Sequence, residues 1–179
     1  MIIDKHIQLA KIKDIDQIAS ILKNGYLFSY ISDKYSISLE NIEKIEFIEK
    51  AKSIFKPYKK TWVYKVGREI QGFVTYKFKN NVSEISKLYI NKQYQGKGLG
   101  KILFEQAIVE SVENTDIIVY VINYNIRACK FYEKMGFELI MEEDNSHELL
   151  TSKFVGTKKY ILNKEKVKMI KKIYLHLQH

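Results

Sequence analysis

Residues 93–101 read Gln-Tyr-Gln-Gly-Lys-Gly-Leu-Gly-Lys and hold three of the eight glycines in this 179-residue chain. The glycines stand at alternate positions, and lysines flank the last two: Gly96, Lys97, Gly98, Gly100 and Lys101. Backbone N–H groups that lack neighbouring side chains can approach an anion closely, and the start of a helix adds partial positive charge. A turn that uses glycine only for steric reasons needs one or two. The loop therefore predicts a phosphate-binding site.

Two common phosphate-binding loops do not fit this spacing. The mononucleotide loop Gly-x4-Gly-Lys-Ser/Thr needs a hydroxyl for Mg²⁺ after its lysine, but Ile102 follows Lys101. The dinucleotide fingerprint Gly-x-Gly-x-x-Gly fails because the third glycine comes one residue early. That fingerprint also needs an acidic residue about 20 positions further on, and residues 119–122 are all apolar or aromatic.

The pattern that fits is Gln/Arg-x-x-Gly-x-Gly/Ala, filled by Gln95, Gly98 and Gly100. A second motif, Asn-x-x-Ala-x-x-Phe-Tyr-x-x-x-Gly-Phe, lies within 123–138. Its positions are Asn125, Ala128, Phe131, Tyr132, Gly136 and Phe137. With both motifs in this order, the chain resembles the GCN5-related N-acetyltransferases (GNAT family), which transfer acetyl from acetyl-coenzyme A (acetyl-CoA) to amines. The resemblance is firm over about 61–142.

The resemblance implies acetyl-CoA as acyl donor and no metal. The pyrophosphate would rest on the backbone N–H groups of 95–101, and the pantetheine would pair with the backbone of 88–90 like an extra strand. The N–H of Tyr89 or Ile90 would then face the acetyl carbonyl, and Asn125 would bond the pantetheine from the other side. The cofactor-binding residues implied in this way are Leu88, Tyr89, Ile90, Gln95, Gly96, Lys97, Gly98, Leu99, Gly100, Lys101, Asn125, Ala128, Phe131 and Tyr132.

Within this resemblance Tyr132 is the candidate general acid for the leaving thiolate. A phenol titrates near ~10 and a thiol near ~8.5, so full proton transfer is uphill by about 2 kcal/mol. We therefore expect Tyr132 to stabilise the leaving sulfur by a hydrogen bond. The alternative is an aromatic side chain that only packs beside Phe131.

The acceptor amine must lose a proton, because a primary amine of pKa ~10.4 is neutral in fewer than about one molecule in a thousand at pH 7. The family's usual position for a base is occupied by Glu84, the alternative being a solvated glutamate at a strand end. Glu142 and Glu143 are further candidates. Cys129, on an apolar helix face, is interpreted as a buried small side chain. The four histidines have no metal-ligand spacing: His6, His147, His176 and His179.

The segment 141–148 concentrates four acids in an otherwise basic chain: Glu142, Glu143, Asp144 and Glu148. In the folds of this family the connection borders the acceptor mouth, which predicts attraction of a small cationic amine such as a polyamine. The chain also loosely resembles bacterial polyamine acetyltransferases. A protein N-terminus or lysine is the alternative acceptor, and a non-catalytic acyl-CoA-binding regulator is the alternative function.

These motifs require a sheet that places the loop between a strand and a helix. Apolar patterns predict strands at 7–12, 61–66, 70–78, 84–90, 116–122, 137–142 and 156–162. They predict helices at 14–24, with a capping box of Asp14 and Gln17, and at 39–55, 99–113 and 126–135. With the resemblance, this order predicts an α/β (α+β) GNAT fold. It has a single mixed, mostly antiparallel sheet of six to seven strands, splayed between the fourth and fifth, with about four flanking helices and a C-terminal helix.

Residues 1–162 are predicted to form this domain, and 163–179 a basic helical extension. One face of the extension would carry Val167, Ile170, Tyr174 and Leu177. Docking on its own domain or forming a homodimer is expected, and stable membrane association is not. The net charge of +9 attracts polyanions, but the lysines are dispersed and nucleic acid is not an expected partner. A single cysteine and the absence of a long apolar run predict a cytoplasmic protein.

Overall fold

A computed structural model of the chain describes residues 4–150 and 153–176. Within these ranges the seven strands are β1 Ile7–Leu9, β2 Lys59–Val66, β3 Glu69–Lys79, β4 Val82–Ile90, β5 Ile117–Ile122, β6 Glu138–Leu150 and β7 Lys153–Leu162. The α-helices are α1 Ile15–Ser29, α2 Leu39–Glu43, α3 Phe47–Lys52, α4 Leu99–Val109, α5 Ile126–Lys134 and α6 Lys164–His176. The strand order is β1-β2-β3-β4-β5-β7-β6, and the β4–β5 pair is parallel. The predicted fold class is confirmed.

Each face of the sheet is covered by its own helices. Because neighbouring strand residues point to opposite faces, Trp62 and Val63 of β2 enter different apolar cores. The core with Trp62 includes residues of α4, α5 and α6, and its side of the sheet is called the α4 face. The core with Val63 includes residues of α1, α2 and α3, and its side is called the α1 face.

The two central strands part shortly after they begin. β4 and β5 share two register pairs, Ser83 with Ile117 and Glu84 with Ile118. In the β3–β4 ladder Thr75 pairs with Lys87 and Tyr76 with Ile85, so Ser86 is an extra residue, a β-bulge. Beyond this point β5 continues against β7 and β4 continues against β3. The predicted splay between the fourth and fifth strands is therefore confirmed, and it opens a V-shaped gap called the split.

The helix predicted over 39–55 is two short helices. The backbone of Glu46 has ψ 81°, which is not helical, so α2 and α3 are separate elements. Ser38 begins α2, and its hydroxyl accepts a hydrogen bond from the N–H of Asn41. The break lets Ile42 and Ala51 both enter the core of the α1 face.

The predicted closing strands are longer than expected, and the polar segment between them is not a loop. β6 and β7 form an antiparallel hairpin that includes residues 141–148, and its register shifts after Leu139, Glu143 and Glu148. A cross-strand ion pair helps to hold the acidic part, with Glu142 Oε2 3.6 Å from Lys158 Nζ. Such long-range partners compensate for the low strand propensity of acidic residues.

The expected capping box of Asp14 and Gln17 is wrong. The carboxylate of Asp14 is buried and accepts from the N–H of Lys11, and it lies 2.9 Å from Lys65 Nζ. Gln17 instead contacts the β2–β3 turn, where its Oε1 accepts from the N–H of Ile70 at 2.8 Å. Both side chains anchor α1 to the sheet rather than to its own first turn.

The last helix packs on the α4 face. Val167 is buried in that core, with Ile170 partly buried against it. The amine of Lys171 donates to Ser111 O. Leu177, which was assigned to the same face, lies outside the described residues.

A stability test follows from the packing of α1 on β4. A Cβ on Gly25 would lie 2.4 Å from Cδ1 of Tyr89, a ring held in the core of the α1 face. Gly25→Ala should therefore lower the free energy of unfolding by about 1–3 kcal/mol, although alanine favours helix by ~1 kcal/mol. Chemical denaturation measures this free energy. Asn24 is exposed on the same helix, and the control variant Asn24→Ala should raise the free energy of unfolding by a few tenths of a kcal/mol. Equal stability of the two variants would contradict the packing.

Candidate active site

The glycine loop enters α4 with two residues in the left-handed region. Gly96 has φ +79°, and Gly98, the N-cap of α4, has φ +83°. A Cβ built on either meets no atom within 4 Å, so the space beside them is open. Gly100 differs, because its Cβ would lie 3.4 Å from Cε2 of Phe131 in α5. Backbone conformation therefore explains two of the glycines and close packing explains the third.

Five consecutive backbone amides of the loop have no acceptor within the described ranges: Gly96, Lys97, Gly98, Leu99 and Gly100. The amides at both ends are engaged, since Gln95 N–H donates to Lys92 O and Lys101 N–H donates to Gly98 O. Free amides at a helix N-terminus bind phosphate oxygens. The loop therefore fits a pyrophosphate, with the five middle amides as its donors.

The end of β4 presents backbone groups to the split. Asn91 N–H donates to Gln71 O in β3. Hydrogen bonding alternates along an antiparallel pair, so the backbone of Tyr89 faces β3, while that of Leu88 and Ile90 faces the split. Of the two amides expected to face an acetyl carbonyl, Ile90 therefore has its N–H on the open side.

Polar side chains fix the two motifs to each other. Gln95 Nε2 donates to Ile90 O at 2.9 Å, and its Oε1 accepts from Arg127 of α5. Asn125 caps α5, with Oδ1 accepting from the N–H of Ala128 at 3.1 Å. The Oδ1 of Asn125 is thus used to cap the helix, and its amide NH₂ is left to donate to a ligand.

The two lysines of the loop differ in their contacts. Lys97 Nζ lies 5.2 Å from the ring centroid of Tyr94. Lys101 Nζ lies 3.5 Å from Glu105 Oε1, so its charge is shared with a carboxylate.

Tyr132 lies in α5 and is buried on the α4 face, near the split. Its ring packs edge-on against Phe131 and Phe137, at centroid distances of 5.2 and 5.4 Å. Burial raises the pKa of Tyr132. Cys129, one turn earlier, is buried in the same core, as expected.

Glu84 lies where β4 and β5 are still paired, opposite Ile118. Its carboxylate forms a short ion pair with Lys77 on β3. Because Lys77 and Glu84 are cross-strand neighbours, both side chains lie on one face of the sheet. Glu84 remains a candidate base, placed at the closed end of the split.

Four tyrosines form an aromatic wall on the α1 face: Tyr26, Tyr30, Tyr89 and Tyr124. The rings of Tyr26 and Tyr30 stack at 4.2 Å, and the Tyr30 and Tyr89 hydroxyls lie 3.4 Å apart. Tyr124, which follows β5, donates its hydroxyl to Tyr30 O at 2.9 Å. The wall therefore spans the split from β4 to the end of β5.

Asp144 of β6 joins the hairpin to this wall. It accepts from the hydroxyl of Tyr35 at 2.9 Å and from Asn123 Nδ2 at 3.2 Å, and lies 3.4 Å from Lys34 Nζ. The hydrogen bond from Tyr35 and the charge of Lys34 lower the pKa of Asp144. Tyr35 also stacks on Tyr124 at 5.2 Å. This acid of the predicted acceptor mouth is thus already paired with a cation.

Three cationic or titratable side chains on this side were not singled out from the sequence: Lys50, Lys87 and His147. Lys87 shares the α1 face of β4 with Tyr89, and the charge of Lys50 reaches it from α3. Partial burial and the charges of both lysines lower the pKa of His147. The sequence feature that could have indicated this cluster is Lys87, a charged residue inside the apolar strand that leads to the glycine loop.

Metal ligands and membrane spans were also sought. Across 4–150 and 153–176, no three or more His, Cys, Asp or Glu side chains converge as a metal site would require. In the same ranges no helix has the length and apolar character needed to cross a bilayer.

Known proteins match both the sequence and the fold. The model of the Acetyltransferase (GNAT) family matches residues 23–137, more than half of the chain. A probable spermine N(1)-acetyltransferase from Bacillus subtilis subsp. natto is 29% identical over 121 residues, which cover 59% of this chain and 80% of that protein.

Two solved structures share the fold at low sequence identity. An N-acetyltransferase from Staphylococcus aureus has a TM-score of 0.66 at 18% identity and covers 88% of this chain and 97% of its own. A chimeric spermidine N-acetyltransferase from Vibrio cholerae and hSSAT has a TM-score of 0.66 at 19% identity and covers 92% and 99%. The family match, the parted strands and the open glycine loop lead to one conclusion: the chain belongs to the GNAT family and is an acetyl-CoA-dependent N-acetyltransferase.

Proposed function

We propose that the protein transfers acetyl from acetyl-CoA to the primary amine of a small molecule, by direct attack in a ternary complex. The observation that carries the proposal is the row of five unpaired amides at the start of α4, beside the split. Acetyl-CoA supplies a thioester, which a neutral amine attacks and from which a thiolate leaves. The residues of the chain bind and orient the two substrates and donate or accept protons.

The donor side is assigned to the α4 face. The amides of 96–100 would hold the pyrophosphate, and the backbone of Leu88 and Ile90 would pair with the amides of pantetheine. Ala128 and Phe131 would cover it from α5. Preorganised backbone donors stabilise negative charge that develops on a carbonyl oxygen, so Ile90 N–H is the proposed donor there.

Tyr132 is proposed as the hydrogen-bond donor to the leaving sulfur. Its burial raises the pKa of the phenol, so the hydroxyl stays protonated throughout the working pH range. The same shift makes full proton transfer to a thiolate more unfavourable than the ~2 kcal/mol expected for an exposed tyrosine. Tyr132 therefore stabilises the leaving group without giving up its proton.

Two classes of small-molecule acceptor have support. The matched relatives named for spermine and spermidine support a polyamine, as does the acidic composition of 141–148. The charges of the described residues on the α1 face support an amine that also carries an anion. Acetylation of a protein amine remains an alternative, as does a regulator that binds acyl-CoA without turnover.

The reaction is tested by thiol release from acetyl-CoA with a panel of polyamines, amino acids, aminoglycosides and peptides. We expect turnover with a small amine, and Tyr132→Phe should lower kcat about ten- to a hundredfold with little change in KM for acetyl-CoA. This is the range for losing a hydrogen bond to a charged group. Coenzyme A binding without turnover on any amine would favour the regulator.

The phosphate assignment is tested by a matched pair of glycine variants. Gly67 and Gly98 both have positive φ and open space beside them, but Gly67 lies in the β2–β3 turn and is not part of the glycine loop. Alanine at either position should cost about 1–2 kcal/mol of stability. Only Gly98→Ala should raise the Kd of coenzyme A, by about tenfold, in isothermal titration calorimetry. An equal Kd for both variants would contradict the assignment of the pyrophosphate to the loop.

The role of Glu84 as base predicts a particular pH dependence. The neutral fraction of a free primary amine rises about tenfold per pH unit below its pKa of ~10.4. Glu84→Gln should therefore slow turnover most near pH 7, and the deficit should shrink towards pH 9 to 10. A deficit that is the same at every pH would point to a structural role in the pair with Lys77.

A further inference from the structure

Two lysines of the α1 face, Lys50 and Lys87, lie close enough for their charges to interact, and neither has an anionic partner among the described residues. Lys87 projects from β4 on the same side as Tyr89, and Lys50 approaches from α3, with its Nζ 5.5 Å from the ring centroid of Tyr26. Both side chains are half-buried. Within the described ranges, neither ammonium makes a hydrogen bond or an ion pair with a side chain.

The acids around them are engaged elsewhere. Glu84 is the acid whose charge reaches Lys87, and it forms its ion pair with Lys77. On α3, Glu49 Oε1 lies 2.6 Å from Lys52 Nζ, on the exposed side of the helix. The local balance on the α1 face is therefore cationic, although the sequence places acids nearby.

The β6–β7 hairpin adds a third group to this region. His147 pairs in register with Val155, which is fully buried in the core of the α1 face. The charges of both Lys50 and Lys87 reach the His147 imidazole. The hairpin thus brings a third potential hydrogen-bond donor to the two lysines.

An unpaired, half-buried ammonium is costly. Loss of hydration penalises the charged form, and a second cation nearby adds repulsion. Burial, followed by the charges of Lys50 and Lys59, lowers the pKa of Lys87 to about 8. A carboxylate placed between the lysines would remove the repulsion and supply the missing partner.

The position of the lysines separates them from the donor site. The glycine loop and α5 belong to the α4 face, whereas Lys50 and Lys87 lie with the tyrosine wall on the α1 face. An anion bound between them would therefore belong to the acceptor and not to the pyrophosphate. A polyamine would instead bring a further cation to this place.

We propose that the acceptor carries a carboxylate in addition to its amine, and that Lys50 and Lys87 bind this carboxylate on the α1 face of the split. The proposal rests on the proposed N-acetyltransferase function and names the acceptor class. An amino acid with a primary amine is the simplest such molecule. His147 would donate a further hydrogen bond to it from the hairpin.

Free lysine and cadaverine provide a direct comparison, because cadaverine is lysine without its carboxylate. We expect kcat/KM to be at least tenfold higher for free lysine than for cadaverine, since a hydrogen-bonded charge pair contributes that much. Lys87→Met and Lys50→Met keep most of the aliphatic stem and remove the charge. Each should lower the ratio of the two kcat/KM values about ten- to a hundredfold, and Lys87→Arg should retain much of it.

The control is Lys52→Met, which removes an exposed lysine from the same helix α3. This variant should leave the ratio of kcat/KM for free lysine to kcat/KM for cadaverine unchanged. Circular dichroism checks that all variants are folded. A preference for cadaverine that Lys87→Met does not alter would overturn the proposal and favour a polyamine.

A binding measurement separates this proposal from the proposed reaction. With coenzyme A present, free lysine should raise the melting temperature of the wild-type protein more than cadaverine does, and Lys87→Met should abolish the difference. This result would support the carboxylate site even if no amine were turned over. Equal shifts with both ligands would contradict it, whether or not thiol release is observed.

Discussion

The parting of β4 from β5 is the constraint on which the rest of the site depends. Two parallel register pairs hold β4 and β5 together. They end just before Ser86, the bulge in the neighbouring β3–β4 ladder. Each strand then stays with its other neighbour, which leaves the backbone of Leu88 and the N–H of Ile90 facing the split, while Ile90 O accepts from Gln95 Nε2. Unpaired backbone donors and acceptors inside a protein need partners, so a ligand with regularly spaced amides suits this edge.

Close packing lies beside the split on both faces of the sheet. On the α1 face, the ring of Tyr89 lies so close to α1 that only Gly25 leaves room for it. On the α4 face, Phe131 packs over Gly100 and fixes the glycine loop against α5. The side chain of Gln95 joins the end of β4 to Arg127. The two small residues therefore leave room for the rings of Tyr89 and Phe131.

The proposed donor side follows from local sequence patterns, because each of its parts is a contiguous segment. The loop 95–101 and the helix start at Asn125 have their own local patterns, and the left-handed Gly98 is a property of one residue. The apolar patterns likewise predicted seven strands in their order along the chain. Local conformation and sequence motif point to the same structure in these segments.

The proposed acceptor side was not predicted in this way, because segments that are distant in the sequence contribute to it. Lys50, Lys87 and His147 come from α3, β4 and β6, and only the folded sheet brings them together. The helix predicted over 39–55 breaks at Glu46, and the polar segment 141–148 becomes a strand. In each case tertiary contacts override local propensity.

One physical cause shifts the pKa of both Tyr132 and Lys87. Loss of hydration disfavours whichever form is charged, so it raises the pKa of Tyr132 and, together with nearby cations, lowers the pKa of Lys87 to about 8. Lys87 is itself a primary amine beside the split. An amine with that pKa is neutral in about one molecule in ten at pH 7, compared with fewer than about one in a thousand in water. In the proposed mechanism, an acceptor amine that loses hydration on entering the split would also shift towards its neutral form. Desolvation would then share with Glu84, the proposed base, the task of supplying a neutral amine.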